Sequence, residues 1–293
     1  MKKYFPPSEL IINEDGSVFH LHVKPEHLAD KIILVGDPGR VALVASHFDT
    51  RECEVESREF HTVTGTYKGK RIMVTSTGIG CDNIDIVMNE LDALVNIDLH
   101  TKEIKEQKKT LNIVRIGTSG SVQADVPVHS FVISEMSLGI DGVLRFYRDN
   151  EMICDAAFEE AFIKECHWAP LAARPYAVKA SKRLVDKLHT EGVTVKGVTL
   201  TANGFYGPQG RVLRLPIEMP TVNDEIARFR FGDYKIINYE MESAAIAGLA
   251  ALMGHQATTI CLIIANRANG DASADYKPHM KKLIEYTLNS LIR

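Results

Sequence analysis

The sequence predicts an α/β protein: a mainly parallel or mixed central sheet covered by helices on both faces, three layers in all. Two observations lead there. Short apolar runs alternate with segments whose apolar residues recur at steps of three and four, the pattern of strands followed by amphipathic helices. Three of those runs end in glycines, as strand-to-helix connections of open α/β sheets do. The chain has 293 residues. That length can bury roughly three quarters of the unfolded surface, so no disulfide or metal staple is needed.

Taken in order, residues 1–17 read as an N-terminal extension rich in proline and polar residues. Residues 18–293 read as one domain, because no repeat, low-complexity tract or linker interrupts them. Ile32-Ile33-Leu34-Val35 is a buried strand. It runs into Gly36-Asp37-Pro38-Gly39-Arg40, where Asp37 can cap a helix and Pro38 can take its first position. A second strand, Arg71 to Thr77, meets Gly78-Ile79-Gly80. The helix after it begins near Asp82, and Ile84, Val87, Met88, Leu91, Leu94 and Val95 form its buried face. Residues 98–112 carry lysines and glutamates with no strong apolar face and read as an exposed insertion. A third strand, Ile113 to Ile116, ends at Gly117-Thr118-Ser119-Gly120. Further strands are expected at Phe131–Ser134, Val195–Thr201, Lys235–Asn238 and Thr259–Ala265. Helices are expected at Tyr176–Leu188 and Ser243–Met253. A terminal amphipathic helix carries Met280, Leu283, Ile284, Thr287, Leu288 and Leu291 on one face.

Composition excludes some functions. Hydrophobic residues make up 45% and charged residues 25%, ordinary for a globular protein. The net charge of −4 supplies no basic face for nucleic acid, so a bound anion must be caught locally. No apolar run approaches the roughly 20 residues of a membrane helix. No signal-peptide core follows Met1-Lys2-Lys3-Tyr4-Phe5-Pro6-Pro7. The five cysteines, Cys53, Cys81, Cys154, Cys166 and Cys261, contain no C-x-x-C pair. A reducing, cytoplasmic location is therefore expected.

The chemistry-bearing residues cluster at the glycine turns. Glycine lets backbone N–H groups approach an anion, and a following helix N-terminus adds partial positive charge. Arg40 follows Gly36, and Arg115 precedes Gly117 inside the apolar run Ile113-Val114-Arg115-Ile116. A charge there must be paired or bind something. It could pair internally with a glutamate; with Thr118 beside it, an oxyanion such as phosphate is the favoured ligand. No G-x-x-x-x-G-K-[ST] is present, and Gly78-Ile79-Gly80-Cys81-Asp82-Asn83 lacks the third glycine of a dinucleotide fingerprint. In Asn238-Tyr239-Glu240-Met241-Glu242-Ser243, Glu242 could accept hydrogen bonds from a vicinal diol such as ribose, or could complement a helix dipole. Gly204-Phe205-Tyr206-Gly207-Pro208-Gln209-Gly210-Arg211 offers an aromatic face, an amide and a guanidinium. That set can read a planar imide edge, though alone the segment also suits a plain surface loop. His20-Leu21-His22 lacks a third ligand for a metal.

Together these segments resemble the nucleoside phosphorylase family, in particular its uridine phosphorylase branch. The resemblance runs from His20 to Arg267. It also rests on Ser57-Arg58-Glu59-Phe60 and Asn266-Arg267. It implies phosphorolysis of uridine to uracil and ribose 1-phosphate, with phosphate as co-substrate and no other cofactor. It implies a phosphate site of Gly36, Arg40, Arg115 and Thr118, joined by Arg58 from a neighbouring subunit. Ribose contacts would come from Thr118, Glu240, Met241 and Glu242, with His20 crossing the same interface. Phe205, Gln209 and Arg211 would hold the base, with Ile264 and Ala265 as an apolar wall. Arg40, Arg115, Gln209 and Arg211 would carry the catalysis. A homo-oligomer, hexamer or dimer, is implied because the site is shared. Bacterial relatives bind potassium at the interface; Glu59 and Ile79 match two of its ligands, but Asn83 stands where the third is a serine. The alternatives are a purine nucleoside phosphorylase, a nucleosidase using water, and a non-catalytic nucleoside-binding protein. Asn266, standing where the purine branch usually has an aspartate, and the Gln209/Arg211 pair favour a pyrimidine.

Overall fold

A computed structural model of the chain describes residues 4–293; the first three residues of the expected extension lie outside the described residues. Among the described residues, fourteen strands and seven α-helices follow one another in the order β1 (Lys31–Val35), α1 (Pro38–Ala45), β2 (Thr50–Ser57), β3 (Phe60–Tyr67), β4 (Lys70–Ser76), α2 (Cys81–Asn96), β5 (Ile97–Asp98), β6 (Glu103–Ile104), β7 (Asn112–Ser121), β8 (Phe131–Gly139), α3 (Ala156–Glu165), β9 (Tyr176–Lys179), α4 (Lys182–Leu188), β10 (Thr194–Thr201), α5 (Val222–Arg228), β11 (Arg230–Phe231), β12 (Tyr234–Glu240), α6 (Ser243–Met253), β13 (Gln256–Asn266), β14 (Asp271–Ala272) and α7 (Lys277–Ile292).

Twelve of the strands form one mixed sheet in the order β11-β12-β10-β8-β13-β7-β1-β4-β3-β2, with β14 on β13 and β9 on β8. The pairs of β1 with β4 and β7, of β7 with β13, and of β10 with β8 and β12 are parallel. β12 also returns to pair with β7, so β12, β10, β8, β13 and β7 close on themselves.

The layers follow from strand periodicity. Successive side chains of β1 point to opposite faces. Ile32 and Leu34 join a core with Ile84, Val87 and Leu91 of α2 and Ile246 and Leu249 of α6. Ile33 and Val35 join the opposite core with Val41 and Val44 of α1, Leu184 of α4 and Leu283 and Leu288 of α7. Each such side chain, once buried, contributes about 1.5–3 kcal/mol. A third cluster places Phe158 and Phe162 of α3 and Ile226 of α5 against Val198, Leu200 and Ile236. No helix among the described residues is long and apolar enough to cross a membrane.

Local signals set several boundaries as expected. Asp37 accepts a hydrogen bond from Gly39 N at 2.9 Å and Pro38 opens α1. Helix α6 spans the expected residues, and Gly254 ends it in a left-handed conformation.

Three expectations are corrected. Tyr176–Leu188 is not one helix: Tyr176–Lys179 forms β9, antiparallel to β8, and Ser181 caps α4 through Leu184 N. The open edge of β8 offers ladder bonds that outweigh the helical spacing. Gly117-Thr118-Ser119-Gly120 is not a turn; β7 runs straight through it, pairing with β13 as far as Ser121. The β2–β3 hairpin has no counterpart among the expected elements. Its inner strand buries Thr62 and Thr64 among apolar neighbours, and its outer strand is an exposed, charged edge, which hides both from a hydrophobicity pattern.

The 98–112 segment is largely exposed, as expected, but starts within a short β5–β6 hairpin. The extension packs on that hairpin: Tyr4 bridges to Glu103 and Phe5 N donates to Lys102 O at 2.9 Å.

Candidate active site

A cavity of about 620 Å³ opens at the carboxyl ends of the parallel strands. Each wall comes from a different connection. After β1, Gly36 and Arg40 line it; after β4, Gly78 and Ile79; from the end of β7, Thr118, Ser119 and Gly120; and from the end of β12, Tyr239, Glu240, Met241 and Glu242. Phe205, Gln209 and Arg211 arrive from the loop after β10. Ile264 and Ala265 come from β13, where the register with β7 shifts between Ile263 and Ala265. Such a bulge re-aims a side chain.

Gly36 and Gly117 differ. A Cβ on Gly36 would make only ordinary contacts, 3.4 Å from the carbonyl oxygen of Gly78 and 4.0 Å from Arg115 Nη2. A Cβ on Gly117 would lie 2.1 Å from Arg115 Nη1 and 2.9 Å from Cys261 Sγ. Gly117 therefore makes room for the arginine two residues before it.

The two buried arginines differ. Arg115 is 4% exposed and sits against two carboxylates. Its Nη1 lies 3.2 Å from Glu240, and its Nη2 donates to Glu242. Burial alone would lower the Arg115 pKa, but Glu242 and then Glu240 outweigh burial and raise it. The internal ion pair that was the less favoured reading of Arg115 is thus present. Arg40 is 8% exposed, and among the described residues its side chain donates only to the Ile116 carbonyl, at 3.2 Å. Burial, and then the charge of Arg115, lowers its pKa. Among the described residues, the Arg40 guanidinium forms no ion pair of the kind that holds Arg115.

The carboxylates also divide. Glu240 accepts from Thr201 Oγ1 at 2.5 Å and from the N–H groups of Glu242 and Ser243, so it anchors the start of α6. That duty had been considered for Glu242. Glu242 instead accepts from Gly80 N at 2.8 Å, joining the α2 turn to Arg115. Burial raises its pKa, Arg115 lowers it and Glu240 raises it, for a net rise.

At the other end, Gln209 is 3% exposed. Its Oε1 accepts from Arg211 Nη1 at 2.7 Å and from Arg267 Nη2 at 3.3 Å. Two guanidinium donors on Oε1 fix the amide orientation and leave Nε2 to donate. Arg211 lies 3.7 Å from the Phe205 ring centroid, a cation–π contact. Burial, and then Arg267, lowers the Arg211 pKa to about 10. Arg267 itself stacks over Tyr239 at 5.1 Å. Asn266-Arg267 marks Arg267 in the sequence, but its partner Gln209 lies dozens of residues away, so no local pattern shows that it braces the loop.

His20 and Arg58 do not line this chain's cavity. His20 Nδ1 is 2.6 Å from Glu90, while Arg58, with φ 55°, lies 5.6 Å from the Phe19 ring centroid, and Phe19 packs edge-on against His20. The two therefore share one patch. Of the residues matching the potassium site, Asn83 Nδ2 donates to Glu59 Oε1 at 3.2 Å. Among the described residues, the group of metal-ligand type is Glu54, Glu56 and His61, on the β2–β3 hairpin. A second, mostly apolar cavity of about 630 Å³, lined by Trp168, Tyr206, Leu213 and Leu215, shares Arg211 with the first.

A family model described as "Phosphorylase superfamily" matches residues 30–290, and the chain belongs to that superfamily. Within it, the fold is that of the nucleoside phosphorylases. The chain is 27% identical to a uridine phosphorylase of Thermococcus kodakarensis over 277 residues, covering 92% of this chain and 85% of the relative. It is 29% identical to a DeoD-type purine nucleoside phosphorylase of Caldanaerobacter subterraneus over 257 residues, covering 87% and 90%. Among solved structures, a Trypanosoma brucei nucleoside phosphorylase described as showing uridine phosphorylase activity superposes with a TM-score of 0.88 at 27% identity, covering 97% of this chain and 99% of that one.

Proposed function

We propose that the protein is a uridine phosphorylase, converting uridine and phosphate to uracil and ribose 1-phosphate. The observation that carries the reading is the pairing, across one cavity, of Arg40 at the glycine turn with the Phe205–Gln209–Arg211 group. Phosphate would lie against Arg40, the Gly36 backbone and Thr118. A phosphate oxygen attacks the anomeric carbon as its bond to N1 of the base breaks, and the electron pair leaves with uracil. Phosphate flanks the positive charge growing on the sugar. Gln209 Nε2 and Arg211 donate toward the negative charge growing on the base. Positioning and preorganised charge suffice, so no covalent nucleophile is needed. Glu242, Met241 and Thr118 would meet the ribose, and Ile264 and Ala265 the base.

Asn266 supports a pyrimidine over a purine. It is 1% exposed, its Nδ2 donates to Gln123 O and Val126 O at 2.9 Å, and its Oδ1 accepts from Asn269 N. It is spent on the backbone and does not line the cavity. The DeoD-type relatives support the purine alternative. The His20–Arg58 patch supports a homo-oligomer in which each subunit completes a neighbour's site. The role would be cytoplasmic pyrimidine nucleoside breakdown and salvage, with phosphate and no other cofactor. Incubation with uridine, with and without phosphate, tests the proposal. Uracil and ribose 1-phosphate should form only with phosphate. Uracil without phosphate would mark a nucleosidase, and cleavage of inosine with uridine untouched would mark the purine branch.

A further inference from the structure

The opposite end of the strands, their amino ends, carries an open cleft of about 300 Å³. It forms where three adjacent strands begin: Lys31 is the first residue of β1, Lys70 of β4 and Asn112 of β7. Helix α4 adds Arg183 and Lys187, four apart and so on one helix face, and the end of α7 adds Arg293. Among the described residues, five cationic side chains therefore line one small concavity, and no Asp or Glu side chain lines it.

Hydrogen bonds leave most of this charge uncompensated. Arg183 donates to the Asn112 amide oxygen, Lys187 to the Leu291 carbonyl at 3.2 Å, and Arg293 to Ser290 Oγ at 2.8 Å. All three acceptors are neutral. Burial, and then Arg183, Lys31 and Arg293, lowers the pKa of Lys187. The cations thus repel one another, and a concave wall of one sign focuses its field on whatever enters.

We infer that this cleft is a second anion site, separate from the catalytic cavity, that binds a diphosphate group. One tetrahedral phosphate can face only part of a rim of five cations, whereas a diphosphate spreads several charges over adjacent oxygens and suits guanidinium forks. The cleft is small and concave, which fits a compact anion better than an extended acidic polymer. The group could arrive as free pyrophosphate or on a nucleoside diphosphate.

Calorimetric titration of the full chain with sodium pyrophosphate and, separately, with UDP tests the inference. The proteins compared are wild type, Lys70→Glu/Arg183→Glu, and Arg40→Ala. Lys70 and Arg183 are exposed, and unchanged thermal melting and uridine turnover will show that the double variant is folded. Binding should weaken at least tenfold in the double variant and with added salt, while Arg40→Ala leaves it intact. Equal affinity for the two probes identifies the diphosphate as sufficient; tighter binding of UDP identifies a nucleotide source. The inference is overturned if Arg40→Ala abolishes binding and the double variant keeps it. It is overturned equally if neither probe binds, or if only an RNA oligonucleotide does.

Discussion

Arginine serves two different ends in the candidate active-site cavity, and the difference is measurable. Arg211 reaches the cavity from a loop and is held by Phe205 and Gln209. Little of the core depends on it. Arg211→Ala should lower kcat/KM for uridine by about 10²–10³, the usual loss when a donor to developing charge is removed, with an unchanged melting temperature. Near-normal turnover would remove Arg211 from the base site. Arg115 is locked between Glu240 and Glu242. Arg115→Met leaves two buried carboxylates facing each other, and it should cost about 3–5 kcal/mol in urea unfolding as well as activity. A variant of wild-type stability would mean that the pair contributes nothing net. The arginines themselves were legible in the sequence, because a charge inside an apolar run needs a partner. Which partner it takes was not legible, because Glu240 and Glu242 stand more than a hundred residues away.

At the scale of elements, strands and their glycines decide where these side chains point. Gly117 lies inside β7, where it gives the Arg115 guanidinium space. Gly117→Ala should displace Arg115 and destabilise the fold by about 1–3 kcal/mol, as overpacking does. Uridine turnover should fall with it, read from urea melts and initial rates on one preparation. An unperturbed variant would show that the close approach is relieved at no cost. Apolar runs predicted β1, β4, β7 and β13 because those strands are buried on both faces. They missed the β2–β3 hairpin because its buried threonines read as polar. They took β9 for helix because pairing with β8 is a long-range bond that local spacing does not report.

At the scale of the molecule, His20 and Arg58 sit together on a patch outside the chain's own cavity. If neighbouring subunits complete each other's sites, two crippled chains can complement. Arg58→Ala and Arg211→Ala subunits, unfolded together and refolded as a mixture, should turn over uridine faster than the sum of the separate proteins. Activity equal to that sum would place each site within one chain.

The sequence by itself determined the layered α/β architecture, the glycine turns of β1 and β4, and the residue types gathered for chemistry. Periodicity, capping and the cost of burying charge are local and act on neighbours along the chain. Tertiary structure alone decided that Arg115 pairs with Glu240 and Glu242, that Arg267 braces Gln209, and that five cations converge at the amino ends of β1, β4 and β7. Those outcomes depend on strand order and register. Strand order and register bring distant segments within a few ångströms, where charges and hydrogen bonds act.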